Sequence, residues 1–246
     1  MDALTQAGFL AHATLPVYKR RIEQARVWIR EALALCKNPY VAFSGGKDSA
    51  VMLHLVLSCA PSIDAQILTG GESRLLHSDL DSILTWWQEN TSVNLIEVSI
   101  DAGYSDDATF EEMYSQFYDG WNRYLHNKGH DGVFLGLRRS ESGIRDTVFR
   151  RFGAIHRYSQ KRNDTRAGTI LCNPISNLRT NDVMAYLASS DIPTFRVYKT
   201  GDERTKSRLG WRAMNEFGQL AALRLRDPQS FNKVVARFPE LRRLGG

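Results

Sequence analysis

Apolar residues recur at helical spacing over residues 17–36, where Ile22, Ala25, Ile29, Leu33 and Cys36 share one face. Pro39 predicts that this helix has ended. Tyr40, Val41, Ala42 and Phe43 then form a short β-favouring run. From Asp48 to Cys59 the chain is apolar on nearly every face (Val51, Met52, Leu53, Leu55, Val56), which predicts a buried helix. Further strands are predicted at 65–68, 94–100, 133–137 and 169–172. Between them lie predicted helices at 72–89, with Leu76, Leu80, Ile83, Leu84 and Trp87 on one face, and at 108–125, which is acidic and aromatic. A short helix is expected over 180–189, with Thr180 as its cap, and two more after Gly210. Residues 150–168 are polar and basic, and are expected as an excursion or a hairpin.

Strands alternating with helices predict an α/β fold, with a doubly wound, mostly parallel sheet carrying helices on both faces. In such a sheet ligands bind beyond the carboxyl ends of the strands. No internal repeat or low-complexity segment interrupts the pattern.

The chemistry concentrates between the first strand and its helix, where Ser44 to Ser49 read Ser-Gly-Gly-Lys-Asp-Ser. Gly45 and Gly46 allow a sharp turn and close approach to a ligand. Backbone N–H groups and the helix N-terminus favour an anion there. Lys47 adds a full charge, and the Ser44 and Ser49 hydroxyls add donors, with Ser49 also able to cap the helix. The spacing does not fit the Walker loop, which needs Gly, four residues, then Gly-Lys-Ser/Thr. A plain Gly-Gly turn capped by Asp48 is the bland alternative.

A second constellation follows the fourth strand. Gly136, Arg138, Arg139, Glu141, Ser142 and Arg145 place three guanidinium groups at a strand end, suited to bidentate phosphate contacts. Arginines in such a place are otherwise surface charge. Glu141 can orient an arginine or hold a metal.

Ser44 to Ser49 resemble the PP-loop of the adenine nucleotide α-hydrolase-like superfamily, which includes ATP pyrophosphatases, the nucleotide subunit of ATP sulfurylase and phosphoadenosine-phosphosulfate (PAPS) reductases. Residues 136–145 resemble that group's Gly-x-Arg-x-x-Glu-Ser-x-x-Arg element, and 173–183 its Pro-Ile-x-x-Trp-Thr-x-x-Asp-Val stretch, with Leu178-Arg179 in place of the Trp. Thr69, Gly70 and Gly71 stand at its second strand's turn, where Leu68 replaces the usual Asp or Asn. Tyr198, Gly201, Arg204 and Arg208 look like its C-terminal lid. The resemblance spans roughly residues 39–211.

The resemblance implies a five-stranded sheet of order 3-2-1-4-5, so that the glycine loop and the arginine segment converge on one site. It implies an N-terminal helical segment at 1–38, a nucleotide-binding domain at 39–200, and a basic lid with helices at 201–246. ATP would be the substrate, with magnesium on its phosphates and Asp48 as the protein ligand to it. Lys47, Asp48, Arg138 and Arg145 would act on the reacting phosphates. Ser44, Gly45, Gly46, Ser49, Thr69, Gly70, Gly71, Arg139, Glu141, Arg204 and Arg208 would bind the nucleotide together with Lys47 and Asp48.

Composition narrows the reaction. Reductases of this group use a nucleophilic cysteine near the C-terminus; here Trp211 stands in that place and the last cysteine is Cys172. Cys36, Cys59 and Cys172 are scattered, with no Cys-x-x-Cys pair, so an iron–sulfur cluster or zinc site is not expected and buried free thiols in a reducing cytoplasm are. The histidines (among them His54, expected to be packed) show no metal-ligand spacing. No secretory leader or membrane span is read from the chain.

Residues 1–137 carry 10 Lys/Arg against 17 Asp/Glu, a balance of −7; residues 138–246 carry 22 against 10, a balance of +12. The basic half suits an anionic ligand or partner. The leading expectation is an ATP pyrophosphatase that splits ATP to AMP and pyrophosphate to activate an acceptor. The DNA backbone, prepared for sulfur insertion (phosphorothioation) with a cysteine desulfurase and other DNA-modification subunits as partners, is one such acceptor. An adenylyltransferase of ATP-sulfurylase or FAD-synthetase type, and a non-catalytic nucleotide-binding regulator, are the alternatives.

Overall fold

The structure, a computed structural model, describes residues 3–68, 79–98, 128–158, 168–195, 198, 219–237, 239 and 242. Six strands form one sheet: β1 (Pro39–Phe43), β2 (Asp64–Leu68), β3 (Asn94–Val98), β4 (Gly132–Phe134), β5 (Ile155–Arg157) and β6 (Ile170–Cys172), in the order β3-β2-β1-β4-β6-β5. The five strands expected from the sequence are all parallel to one another, with Val41 level with Ala65 on one side and with Phe134 on the other. The expected count of five is corrected to six. The polar stretch after residue 150 contributes β5, which runs antiparallel to β6 as the outer edge, His156 facing Leu171. Its short length and half-exposed residues suit an edge, where no second neighbour demands apolar side chains.

Eight α-helices are described: α1 (Ala3–Thr14), α2 (Pro16–Leu35), α3 (Lys47–Leu57), α4 (Leu80–Asn90), α5 (Gly143–Phe152), α6 (Thr180–Ser190), α7 (Gln219–Arg226) and α8 (Pro228–Arg237). α3 is buried as its composition requires: Val51, Met52, Leu53, Leu55 and Val56 are all fully enclosed. Each such side chain stabilises the fold by roughly 1.5–3 kcal/mol. α2 and α4 bury one stripe each, Ile22, Ala25 and Ile29 from the first and Ile83, Leu84 and Trp87 from the second.

α5 was not expected. Ser142 starts it, accepting the Arg145 N–H at 3.2 Å, and Gly153 stops it at φ +77°. It buries only Phe149, while Ile144, Val148 and Phe152 face solvent. The helix expected over 108–125 lies outside the described residues, as do the first residues of the one expected over 72–89.

The N-terminal helices are fastened to α6 through Asp182, which is fully buried. Its carboxylate takes the Arg179 backbone N–H at 2.7 Å, Arg21 Nη1 at 2.8 Å and His12 Nε2 at 2.7 Å. Asp182 thus caps α6, the role expected of Thr180, whose hydroxyl is engaged elsewhere. A second carboxylate, Asp131, accepts the backbone N–H groups of Lys37 and Asn38 at 2.7 and 2.8 Å and so fixes the start of β1 beside β4. Among the described residues, no helix is long and apolar enough to cross a membrane.

Candidate functional site

β1 ends at Phe43 and α3 begins at Lys47, so Ser44, Gly45 and Gly46 make the whole turn. Gly45 sits at φ +72°, and a Cβ there would lie 2.7 Å from the Phe195 ring. Both the backbone conformation and the space exclude larger residues. The turn is braced by its own hydroxyls. Ser44 Oγ and Ser49 Oγ are 2.9 Å apart, the Ser44 N–H donates to Ser49 Oγ at 3.2 Å, and the Ser49 hydroxyl donates to the Gly46 carbonyl at 2.9 Å.

Ser49 therefore braces the loop and does not cap the helix. Gly46 is the N-cap residue, and no side chain caps the first turn. A helix leaves its first N–H groups without intrahelical partners. Here those of Lys47, Asp48 and Ser49 lie at the positive end of the α3 dipole, inside a largely buried loop. This is the local chemistry of a phosphate-binding turn.

The β4 exit packs directly on that turn. A Cβ on Gly136 would stand 3.1 Å from Ser49 Cα and N and 3.2 Å from the Asp48 carbonyl carbon. Glycine at 136 therefore sets how close the two βα junctions come. Two residues later Arg138, only 4% exposed, brings Nε within 2.7 Å of Asp48 Oδ1. Asp48 Oδ2 is meanwhile 2.8 Å from Lys47 Nζ, which lies 5.3 Å above the Tyr198 ring. The Arg138 contact is an ion pair without hydrogen-bond alignment, so Asp48 Oδ1 and Arg138 Nε are both shielded from water with bonding capacity unmet. Buried polar atoms in that condition are expensive, and a ligand that completes them recovers the difference.

The remaining bonds of Arg138 hold it in place. Nη1 donates to Ser140 Oγ at 3.3 Å and to Thr180 Oγ1 at 3.2 Å; its backbone N–H donates to Glu141 Oε2 at 2.9 Å. Glu141 also pairs with Arg145. Lys47, Arg138 and Arg145 thus carry three positive charges against the two of Asp48 and Glu141, which leaves a cationic pocket wall at the loop.

The structure so brings together Ser44, Gly45, Gly46, Lys47, Asp48, Ser49 and Arg138, with Glu141 and Arg145 behind them. Arg139 turns away: its Nε lies 2.8 Å from Asp146 and its Nη1 reaches Asn177. The arginine neighbour holds the Asp146 carboxyl below its ordinary range, burial opposing and Arg150 assisting. Thr69, Gly70, Gly71, Arg204 and Arg208 lie outside the described residues. Thr180 is the residue that sequence reasoning missed; it stood in a stretch read as architectural. Its hydroxyl fixes Arg138, and only the sheet order, which places β6 beside β4, could have shown that. Phe195, which backs Gly45, was also missed; Tyr198, which lies under Lys47, was named as part of the lid.

His54 is packed, its Nδ1 2.9 Å from the Tyr186 hydroxyl. Cys36, Cys59 and Cys172 are free thiols. Among the described residues no group of three or more His, Cys, Asp or Glu side chains is placed to hold a metal ion.

Residues 38–246 match the phosphoadenosine phosphosulfate reductase domain. The chain belongs to that family. Curated relatives carry a different name within it. "Sulfate adenylyltransferase subunit 2" of Trichlorobacter lovleyi is 28% identical over 200 residues, covering 73% of this chain and 66% of its own length. The protein of the same name from Caulobacter vibrioides is 28% identical over 246 residues, covering 90% of this chain and 77% of its own. The chain thus spans about two thirds to three quarters of the length of these relatives. In fold it resembles the PAPS reductase of Candida auris solved as a phosphate complex, with a TM-score of 0.53 at 17% identity over 81% of this chain and 96% of that one. Membership of the family makes a nucleotide the ligand class.

Proposed function

We propose that this protein cleaves ATP between its α and β phosphates and passes the adenylyl group to an oxyanion acceptor, releasing pyrophosphate. The carrying observation is the meeting of the two βα junctions, in which Arg138 closes on Asp48 beside the uncapped first turn of α3. In this proposal the loop N–H groups and the Ser44 hydroxyl take the terminal phosphates. Lys47 and Arg138, held ready by Asp48, exchange that carboxylate for phosphate oxygens as charge builds on the leaving pyrophosphate. An acceptor oxyanion needs no general base, because it is already deprotonated at neutral pH. The protein's work is then positioning and charge stabilisation. Magnesium would come with the nucleotide, and Asp48 would be the residue to hold it, supplying charge neutralisation on the phosphates.

The relatives' name moves the weight from the phosphorothioation reading toward adenylyl transfer, with a sulfate-type anion as the acceptor and a second subunit as the partner. Trp211 in place of the reductase cysteine supports transfer over reduction. The test is pyrophosphate release from ATP with magnesium, measured with and without an added oxyanion. Acceptor-stimulated release, lost on Arg138→Ala, is expected. Tight ATP binding with neither AMP nor pyrophosphate formed, whatever the acceptor, would leave the regulatory alternative standing instead.

A further inference from the structure

α5 carries its apolar stripe on the outside. α2 and α4 turn theirs into the core, but α5 buries only Phe149, while Ile144 is 80% exposed, Phe152 47% and Val148 37%. Spaced four apart, these three side chains fall on one line along the helix and make a continuous strip. Leu4 and Leu10 of α1 are exposed too, but their spacing puts them on different faces of that helix. Single apolar side chains on a surface need no explanation; a contiguous strip marks a face that another molecule covers.

The charge beside the strip selects that molecule. α5 carries three arginines against one acid, Asp146, and that carboxylate is already shared by Arg139 and Arg150 at 2.8 and 2.7 Å. The helical repeat sets Arg145 on one flank of the strip and Arg151 on the other. Arg151 is exposed, lies 5.1 Å over the Phe152 ring and has no carboxylate partner among the described residues. An apolar strip with cationic flanks complements an apolar strip with carboxylate flanks. A second copy of this chain would set arginine against arginine, which like-charge repulsion opposes. A nucleic acid would meet the arginines and leave Ile144 and Val148 wet, and the Phe152 ring on which a base could stack already carries Arg151. The ten-residue helix is about 15 Å long. Its face therefore fits one partner helix and falls short of the roughly 800 Å² per partner of a self-standing homodimer.

We propose that α5 is the docking face for an acidic amphipathic helix of a partner protein, with Ile144, Val148 and Phe152 buried in its apolar side and Arg145 and Arg151 facing its carboxylates. This rests on the reading that a second subunit takes part, and names the face and the chemistry through which it does. The place bears on the nucleotide site. Arg145 pairs with Glu141, and Glu141 Oε2 accepts the Arg138 backbone N–H at 2.9 Å, so a partner on α5 grips the arm that carries Arg138.

Fluorescence anisotropy with the full chain tests this. The probes are a three-turn helical peptide whose leucine stripe is flanked by glutamates, a peptide of the same composition with its leucines scattered, and a short single-stranded oligonucleotide. The striped peptide is expected to bind, and to bind about tenfold more weakly to Ile144→Asp and to Arg151→Glu, with Arg151→Lys restoring most of the affinity. Both residues are exposed and outside the phosphate loop, so thermal unfolding and affinity for a non-hydrolysable ATP analogue stay as in the wild-type chain. Failure of the striped peptide to bind, or equal binding of the scattered one, would overturn the proposal. Oligonucleotide binding tighter than that of the striped peptide, and weakened by Arg151→Glu, would overturn it in favour of a nucleic-acid contact. A dimer in sedimentation that Ile144→Asp dissociates would overturn it in favour of a second copy. Failure of the ATP analogue to bind the wild-type chain would strike the adenylyl-transfer reading and leave the peptide result standing by itself.

Discussion

The two βα junctions that meet at the candidate site are built in opposite ways. The first is local. Its bracing hydrogen bonds join residues no more than five apart, and its donors are backbone groups and serine hydroxyls. The second is made of long side chains whose positions depend on distant partners: Arg138 on Thr180 and Asp48, and Arg139 on Asp146 and Asn177. A backbone cradle is formed once the turn is formed, whereas a guanidinium cluster points wherever its carboxylates and hydroxyls direct it. Removing one brace should therefore weaken the first junction slightly and redirect the second entirely.

The largest effect is expected where the two junctions touch. Arg138→Ala leaves Asp48 with Lys47 alone and removes the cation that the second junction brings to the loop. Loss of a preorganised charge contact of this kind reduces turnover by roughly 10²–10³-fold. Asp48→Asn should fall nearly as far, and the double variant should be little worse than either single one, because the two residues act as a unit. Pyrophosphate-release rates over that cycle measure the coupling; additive losses would mean the junctions act independently.

Gly136→Ala comes next. The added methyl meets backbone at 3.1 Å, which cannot swing aside as a side-chain tip can. We expect the β4 exit to lift from α3, at a cost of about 1–3 kcal/mol in stability and with ATP affinity down about tenfold. Titration calorimetry against thermal unfolding separates the two effects.

The same contrast explains what the sequence made legible. The parallel strands and the phosphate turn follow from short-range pattern: β-branched runs, Gly45-Gly46 and the apolar α3 are all read within a dozen residues. α5 was legible and was passed over: Ile144, Val148, Phe149 and Phe152 recur at helical spacing, but the segment was read for its arginines. β5 was foreseen only as an arm of the hairpin that was one of two readings of residues 150–168, because an edge strand needs no apolar alternation. The fate of Arg139 was illegible for a deeper reason. Adjacent arginines look alike in sequence, and only their partners send them apart: Asp48 on α3 and Thr180 at the start of α6 for Arg138, Asp146 on α5 and Asn177 for Arg139.

Arg139→Ala sharpens that distinction. Since its guanidinium faces Asp146 and Asn177, ATP-analogue affinity should change by less than about twofold, where Arg138→Ala changes it by about tenfold or more. Equal effects from both arginines would erase the difference between the two sides of the wall.

The smallest expected effect concerns a link behind both junctions. α3 begins at the phosphate turn and α6 begins at Thr180, and His54 on the first meets Tyr186 on the second at 2.9 Å. Burial pushes the His54 imidazole below its ordinary value of 6.5, with Arg26 assisting, and burial pushes the Tyr186 hydroxyl up to about 12. Both shifts favour the neutral forms in the folded protein. An unfolded histidine takes up a proton below about pH 6.5 while the folded one resists, so stability falls as pH drops from that value toward the lowered one. At the other end the unfolded tyrosine ionises from about pH 10 upward while the folded phenol holds its proton, and stability falls again. His54→Gln should flatten the acid-side slope of denaturant midpoint against pH and leave the alkaline side in place. If Arg138 keeps its position only because α3 and α6 are held together, ATP affinity will fall with the same acid-side dependence in the wild-type chain, and lose that dependence in the variant. Affinity that ignores the histidine would show that Thr180 and Gly136 hold the wall unaided.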